Sequence, residues 1–336
     1  MNDVTIAFVF RERQTPTIAS LKQIIETTTE PHDMIVFDDA SPPEMAHTLR
    51  EMAAKHGFML LRNDTQTPPN HQRNACFEHV KTPYVVFIDN DVTVEPGWLD
   101  ALVTCAKETG AALVSPLYLE TIAGKTRIHM FGGQVTTKTD DGEPAFDERH
   151  FFAHERVEDN EQILVRSETG LVEFHAVLVE TQILRDFGGL DPDLLSVAEH
   201  ADLSVRVLQA GRKIIREPSS RITYHIPARL EPEDKAYFQQ RWSETWNETS
   251  CNRLAVAHGV PAQDERIQMV FRWGRMHRQR ASLRFPTLRR VLGKTVFDKI
   301  MRRYIKPWEV KSNRRRFPHG APAQAVSKQP AMAEAA

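Results

Sequence analysis

An α/β fold with a doubly wound, parallel sheet and a helical C-terminal extension is predicted from two patterns in the sequence. Short runs of continuous apolar residues, each bounded by turn formers, are typical of strands covered on both faces. The segments between these runs repeat apolar residues at helical spacing, and strands that alternate with such helices form parallel sheets. The predicted strands are Val4–Phe10, Met34–Phe37 and Tyr84–Ile88, and the predicted helices lie around Ile18–Ile25, Met45–Met52 and Trp98–Val103.

Regular structure returns in the second half of the chain. Helical spacing predicts a short helix over Glu199–Ala210, with Gly211 as its C-terminal cap. A longer helix is predicted from Pro232 to about His258, because proline is favoured in the first turn of a helix. Between these helices and residue 110 the sequence is rich in glycine and charge, and its periodicity is weak.

The composition is that of an ordinary globular protein, with 336 residues, 41% hydrophobic and 26% charged. No run approaches the roughly 18 apolar residues needed to cross a bilayer, and the first residues lack the basic leader and cleavage site of a signal peptide. We therefore expect a cytoplasmic protein. Its cysteines, Cys76, Cys105 and Cys251, are far apart and are predicted to be free thiols.

Charge is distributed unevenly, although the formal net charge is only −2. Residues 272–316 carry 16 Lys and Arg against Asp298 and Glu309, and residues 288–305 form a basic amphipathic segment. Two interpretations stay open: the segment docks on an anionic membrane surface, or it packs on the acidic body. Nucleic acid is not favoured as a partner, because no recognised nucleic-acid module surrounds the charge. Residues 317–336 are predicted to be disordered.

Acidic residues follow two of the predicted strands. In a doubly wound sheet, ligands bind outside the carboxyl ends of the strands. The triplet Asp89-Asn90-Asp91 offers hard oxygen ligands for Mg²⁺ or Mn²⁺, and such an ion stabilises a departing diphosphate. The alternative interpretation is that the triplet is an Asp-rich turn. Asp38 and Asp39 are acceptors for the N–H and hydroxyl groups of a nucleoside, or else they form an Asx turn.

The order of five motifs resembles the family 2 glycosyltransferases. The motifs are Val36–Ser41, Arg73-Asn74, Phe87–Asp91, Gly188–Asp191 and Glu199–Arg206, and the resemblance covers residues 4 to about 250. It implies the GT-A fold, a Rossmann-like mixed sheet, and inverting sugar transfer from a nucleotide sugar. Residues 1–110 are then the nucleotide-sugar-binding half, residues 111–230 the acceptor-binding and catalytic half, and residues 231–316 a basic helical extension.

The resemblance also assigns roles by matching position. Asp91 is the principal ligand of Mn²⁺ or Mg²⁺, with Asp89 beside it, and His225 completes the metal shell unless it is a core histidine. Asp191 and Asp202 lie on the acceptor side. The expected donor is a UDP-sugar and the expected acceptor a glycan or a lipid-linked sugar. The implied donor-binding residues are Arg11, Asp38, Asp39, Arg73 and Asp89.

One position departs from the family pattern. Members carry two adjacent acids at the start of the late helix, the second being the general base, and here the pair is Glu199-His200. His200 has a suitable unperturbed pKa of about 6.5, and Glu199 reaches the same hydroxyl with a small shift, so both stay open. Ser196 with Glu199 also matches a helix capping box, and Asp202 with Arg206 a surface ion pair.

The sequence thus predicts a metal-dependent glycosyltransferase of bacterial-type surface polysaccharide or glycolipid synthesis, either cytoplasmic or peripheral on the inner face of the membrane. The alternative is a catalytically inactive GT-A binding or scaffold protein, because the second acid is missing at residue 200. A sugar nucleotidyltransferase needs a glycine-rich phosphate loop with a lysine, which residues 11–15 do not supply.

Overall fold

A mixed central sheet organises the chain, whose computed structural model describes residues 2–122, 124–227, 229–318 and 327–328. The strands are β1 Val4–Val9, β2 Asp33–Asp39, β3 Met59–Asn63, β4 Tyr84–Asp89, β5 Val92–Val94, β6 Leu113–Ile122, β7 Lys125–Met130, β8 Gly133–Lys138, β9 Pro144–His150, β10 Ser167–Glu168, β11 Ala176–Glu180, β12 Ile214–His225 and β13 Ser327–Lys328. The helices are α1 Thr17–Thr27, α2 Pro43–His56, α3 Pro69–Phe77, α4 Trp98–Thr109, α5 Thr181–Phe187, α6 Glu199–Gln209, α7 Lys235–Arg241, α8 Glu244–Ala257, α9 Glu265–Ser282, α10 Pro286–Ile300 and α11 Lys306–Arg316, with a π-helical turn at Met301–Ile305.

The first half of the sheet has the predicted parallel arrangement. Strands β3, β2, β1 and β4 are neighbours in that order, and all three pairings are parallel. Successive residues of β1 enter opposite cores: Phe8 packs on one face of the sheet and Val9 on the other. Burial on both faces explains why these strands read as continuous apolar runs rather than as alternating ones.

The second half of the sheet mixes strand directions, in agreement with the mixed sheet that the resemblance implies. Strand β11 lies antiparallel between β4 and β6, whereas β12 runs parallel to β6. The start of β11 therefore meets the end of β4, and the Asp89 N–H donates to the His175 carbonyl over 3.1 Å. This reversal brings residues from the middle of the chain to the edge where the acidic triplet lies.

The helices of the extension differ from the prediction at one point. The helix predicted from Pro232 to His258 is wrong as a single element, because the chain breaks between α7 and α8. Ser243 stands at the break, and its hydroxyl accepts a hydrogen bond from the Trp246 N–H, so it caps α8. Helix α6 ends close to the predicted position, with Gly211 in the left-handed region at φ 69°.

Buried ion pairs hold the helices of the extension together. Arg278 is fully buried, and its guanidinium donates to Glu244 at 2.6 Å and to Glu309 at 2.7 Å. Within the described ranges, no helix combines the length and the apolarity that a bilayer crossing needs. The predicted disorder of residues 317–336 concerns positions that lie mostly outside the described residues, although Ser327–Lys328 pairs antiparallel with β3. The predicted domain boundaries stay predictions.

Candidate active site

Two aspartates and a histidine converge where β4 ends and β11 begins, and we call Asp89, Asp91 and His175 the strand-end site. One ligand atom from each lies within 4.8 Å of the other two. All three residues are only 1% exposed. The His175 Nδ1 atom is 3.7 Å from Asp89 Oδ2.

The donor atoms of the strand-end site fit a divalent cation. Each residue keeps one buried polar atom without a hydrogen-bond partner: Asp89 Oδ2, Asp91 Oδ1 and His175 Nε2. Burial raises the pKa of Asp89 to about 7, although the charges of Arg73 and Arg11 oppose the rise. Burial, together with Arg11, holds the pKa of His175 well below its usual range, so its imidazole is neutral. Carboxylates and a neutral imidazole are suitable ligands for Mn²⁺, and carboxylates alone suit Mg²⁺.

Arginines surround the acids of the strand-end site. Arg73 donates to Asp89 Oδ1 over 3.1 Å, and the Arg11 Nε atom is 3.5 Å from Asp89 Oδ2. Arg13 donates to Asp91 Oδ2 over 3.1 Å. Guanidinium groups pair well with phosphate oxygens, so this ring of cations is suited to an anionic diphosphate.

Asn90, the middle residue of the triplet, fixes the loop between β1 and α1. Its side-chain oxygen accepts from the Arg11 N–H over 3.0 Å, and its amide donates to the Arg13 carbonyl over 2.6 Å and to the Thr17 hydroxyl over 2.7 Å. The triplet therefore positions the arginines of the neighbouring strand end as well as its own carboxylates.

His225, the predicted third metal ligand, lies at the end of β12. Its backbone carbonyl accepts a hydrogen bond from Arg13 over 2.8 Å, but its Nε2 atom is 2.8 Å from the Thr93 hydroxyl. The histidine that the structure brings to both aspartates is His175, which the sequence analysis missed because it treated the region before β11 as irregular. A metal-binding role for His225 stays a prediction.

The two aspartates at the end of β2 are engaged within the protein. Asp39 is fully buried and accepts hydrogen bonds from the Thr67 N–H at 2.9 Å and from the Tyr237 hydroxyl at 2.5 Å. Burial raises the pKa of Asp39 to about 7 against these hydrogen bonds. Asp38 pairs with Arg62.

The start of the extension covers this edge of the sheet. Asp234 accepts hydrogen bonds from the Gln14 N–H at 2.7 Å and the Thr15 N–H at 3.0 Å. Trp242 donates to Glu12 over 2.9 Å. Helix α7, which carries Tyr237, therefore lies over the carboxyl ends of β1 and β2, where the predicted donor-binding side chains are buried.

Glu199, one of the two predicted bases, begins α6. Its carboxylate accepts a hydrogen bond from Arg241 over 3.0 Å. The capping-box interpretation of Glu199 is wrong: the helix starts after Ala198, which lies in the left-handed region at φ 66°, and the Ser196 hydroxyl donates to Asn247 instead. Glu199 also acts electrostatically on Arg73, the partner of Asp89, so it lies close to the strand-end site.

His200, the other predicted base, faces two glutamates. Its Nε2 atom is 3.1 Å from Glu148 and 4.0 Å from Glu173. Burial lowers the pKa of His200, but the charges of Glu173 and Glu148 outweigh that effect and raise it to about 10. His200 therefore carries a proton at neutral pH and has no free site to accept another.

The predicted acceptor residues are tied to α8. Asp191 accepts from Arg253 over 2.6 Å. Asp202 lies 2.9 Å from the His258 ring and 3.4 Å from Arg206, so the predicted i,i+4 pair is present. A role for Asp191 and Asp202 in acceptor binding stays a prediction, since both carboxylates hold helices together here.

Together, the mixed sheet and the acidic triplet at its edge define the class of GT-A glycosyltransferase domains. Residues 6–169 match the family described as Glycosyl transferase family 2. The predicted resemblance to that family is confirmed over this part of the chain.

Curated relatives lie in the same functional class. Proteins named "Pre-mycofactocin glycosyltransferase" from two strains of Mycobacterium tuberculosis, CDC 1551 / Oshkosh and ATCC 25618 / H37Rv, are 22% identical to this chain over 222 residues. The match covers 66% of this chain and 42% of each relative. The chain thus spans less than half the length of these relatives.

Solved structures share the fold. The mannosyltransferase PcManGT from Pyrobaculum calidifontis, in complex with GDP-Man and Mn²⁺, has a TM-score of 0.51 at 12% identity and covers 93% of this chain and 84% of its own. S. aureus TarS 1–349 with UDP-GlcNAc has a TM-score of 0.51 at 12% identity, and the match covers 89% of this chain and 78% of that one. GalNAc-T7 with UDP, GalNAc and Mn²⁺ has a TM-score of 0.53 at 15% identity, and the match covers 87% of this chain and 58% of that one. At these identities the likeness concerns the fold alone.

Proposed function

We propose that this chain transfers a sugar from a nucleoside-diphosphate sugar to an acceptor hydroxyl, with inversion and with help from a divalent metal. The observation that carries the proposal is the convergence of one ligand atom each from Asp89, Asp91 and His175, within 4.8 Å of one another, beside the guanidinium groups of Arg11 and Arg73. The aspartates and His175 would hold the metal, which would supply charge stabilisation to the departing diphosphate. The arginines bind the phosphate oxygens.

We assign the general base to Glu199. The acceptor O–H gives its proton to the Glu199 carboxylate while its oxygen bonds to the anomeric carbon, and the bond from that carbon to the diphosphate oxygen breaks. Glu199 is a carboxylate paired with Arg241 near the strand-end site, whereas His200 already carries a proton between Glu148 and Glu173. The resemblance places the base one residue later, where this chain has His200, so the assignment moves the role to the neighbouring carboxylate.

Donor binding needs helix α7 to move. Asp39, which the resemblance assigns to the base of the nucleotide, has its carboxylate occupied by Thr67 and Tyr237 and is not exposed. A nucleoside N–H can take the place of the Tyr237 hydroxyl on Asp39 only when α7 withdraws. The covered site is therefore a closed state, and the extension controls access to it.

The donor class can be tested by thermal stabilisation. We expect a UDP-sugar, GDP-sugar or dTDP-sugar, with UDP first in order, to raise the melting temperature in the presence of Mn²⁺ and not in EDTA, because a ligand of the native state stabilises it by mass action. The Asp91→Asn variant should keep its own melting transition but lose the Mn²⁺-dependent increase. If no nucleotide sugar stabilises the wild-type protein with Mn²⁺ or Mg²⁺, the proposal fails.

A second candidate function is donor binding without transfer. It is favoured by one observation: both predicted bases, Glu199 and His200, are held in ion pairs. Slow hydrolysis of a nucleotide sugar by the wild-type protein, reduced in Glu199→Gln, supports the enzyme. Tight donor binding with no hydrolysis and no transfer to any acceptor supports the binding protein.

We further propose that the outer face of residues 272–316 docks on anionic lipid, where a lipid-linked acceptor is found. Large hydrophobic side chains are exposed there among the basic residues; they are Trp273, Met276, Phe285, Leu288, Val291, Val296, Tyr304 and Trp308. The inner face of this segment packs on α8 through the ion pair of Arg278 with Glu244. Sedimentation with phosphatidylserine vesicles should be strong at low salt and weak at high salt. Absence of binding at low salt contradicts this assignment.

A further inference from the structure

A second group of histidines and glutamates lies beside the strand-end site, and we propose that it binds a second divalent metal ion of the Zn²⁺ type. We call it the histidine cluster. Its members come from β7, β9, the loop before β11 and the start of α6; they are His129, Glu148, His150, Glu173 and His200. Sugar transfer as proposed above assigns no role to this group.

The ligand atoms of the histidine cluster form two overlapping triads, His129 with His150 and Glu173, and Glu148 with His150 and His200. The His150 Nε2 atom is 2.9 Å from Glu148 Oε1 and 3.7 Å from Glu173 Oε1. The His200 Nε2 atom is 3.1 Å and 4.0 Å from the same two oxygens. A tetrahedral ion with bonds of about 2.0–2.2 Å holds its donor atoms roughly 3.4 Å apart. The four separations lie on both sides of that value, so small side-chain shifts are enough to place an ion between these atoms.

His129, the remaining member of the histidine cluster, is oriented by a buried carboxylate. One ring nitrogen of His129 is 3.1 Å from Glu120, which is only 2% exposed and also contacts His154 at 2.7 Å. His129 groups with His150 and Glu173 within 4.8 Å. Metal-ligating histidines commonly donate their second ring N–H to a carboxylate, which fixes the tautomer and the ring direction. Glu120 is placed to do this for His129.

The chemistry of the histidine cluster selects its ion. Up to three imidazoles and two carboxylates suit Zn²⁺ and similar borderline ions, whereas Mg²⁺ prefers oxygen ligands alone. The cluster is also open to solvent: the side chain of His150 is 27% exposed and that of Glu173 is 13% exposed. A metal ion therefore reaches it without any movement of α7.

Metal content of the whole chain tests the proposal, and the readout does not depend on sugar transfer. After removal of metals with a chelator, we expect the Asp91→Asn variant to bind one equivalent of Zn²⁺ in equilibrium dialysis. The double variant Glu148→Gln, His150→Gln should lose that equivalent while Mn²⁺-dependent stabilisation by the donor persists. The matched control is His47→Gln, Glu51→Gln, which removes an exposed histidine–glutamate pair with side chains 66% exposed and should leave Zn²⁺ binding unchanged.

Two results overturn the proposal. One is an Asp91→Asn protein that binds no Zn²⁺, in which case the histidine cluster is a closed ion-pair network. The other is a folded cluster variant that binds Zn²⁺ as well as wild type. If the double variant does not fold, Co²⁺ bound to Asp91→Asn decides the question: intense visible absorption is expected from a four- or five-coordinate site with imidazole ligands, and weak six-coordinate absorption contradicts it. Failure of donor binding in wild type with intact Zn²⁺ binding refutes the proposed function alone.

Discussion

The strand-end site and the histidine cluster both combine carboxylates with histidine. The two groups are neighbours, because the ring centroids of His175 in the first and His129 in the second are 5.1 Å apart. They differ in exposure and in the partners of their acids. The acids of the strand-end site are 1% exposed and pair with arginines, whereas Glu148 and Glu173 are partly exposed and pair with histidines.

This difference decides what each group can do. Arginine stays protonated in proteins, so Asp89 and Asp91 have cationic neighbours at any pH, and a metal has to share these acids with fixed cations. Histidine can lose its proton and become a ligand itself. The strand-end site is therefore built around fixed cations, and is suited to an anionic substrate that brings its own metal-binding oxygens. The histidine cluster is built around charge that can be exchanged for a metal ion.

Loss of a strand-end carboxylate should have the largest effect. Asp91→Asn removes a metal ligand and weakens the pairing of Arg13, so we expect sugar transfer to fall roughly 10⁴-fold, about 5 kcal/mol in transition-state stabilisation. Steady-state kinetics with a nucleotide sugar measure this. Asp64→Asn, whose side chain is 89% exposed, is the control and should retain transfer. Retained transfer by Asp91→Asn in EDTA would refute metal dependence.

Replacement of the assigned base should have the next largest effect. Glu199→Gln keeps the shape of the side chain but cannot take a proton, so kcat should fall about 10³-fold while the Kd for the donor changes little. Loss of the ion pair with Arg241 also lowers stability. Glu244→Gln, which weakens another buried ion pair, controls for that loss and should leave the chemical step intact. A normal kcat in Glu199→Gln would show that the general base is another residue.

The parallel half of the fold could be predicted because its signal is local. A strand buried on both faces is a continuous apolar run, and a carboxylate directly after it must lie at the carboxyl edge of the sheet, as Asp39 and Asp89 do. Each of these positions follows from a few neighbouring residues. The same holds for the pair of Asp202 and Arg206, whose spacing on one helix fixes their contact.

The histidine positions could not be predicted in the same way, because the pattern of apolar residues in a strand does not determine whether it runs parallel or antiparallel to its neighbour. His175 reaches the triplet only because β11 runs antiparallel to β4. A weak signal was present in the spacing Glu148-x-His150, since alternate residues of a strand share a face. The raised pKa of His200 depends on glutamates distant in sequence, so the identity of the base could not be decided from its own motif.

The buried aspartate at the end of β2 makes stability depend on pH. The pKa of Asp39 is about 7 in the folded chain and about 3.9 in an unfolded one. The folded state therefore binds more protons between these values, and its stability falls as the pH rises through that window. Between pH 5 and pH 7 we expect the unfolding free energy of Asp39→Asn to fall less than that of the wild type, by up to about 3 kcal/mol. Urea unfolding at both pH values measures it, and equal slopes in variant and wild type contradict the assignment.

Weakening the cover over the strand ends should have the smallest effect, and its sign is the informative part. Tyr237→Phe removes the hydroxyl that donates to Asp39, and a hydrogen bond to a charged group contributes about 1.5–3 kcal/mol. If the donor has to displace α7, the variant should bind a nucleotide sugar about tenfold more tightly in calorimetry with Mn²⁺, because less of the closed state has to be opened. Tyr84→Phe, at the opposite end of β4, should leave the Kd unchanged. Weaker binding by Tyr237→Phe would instead place Tyr237 among the groups that hold the donor, and the buried edge would then be a binding surface rather than a closed one.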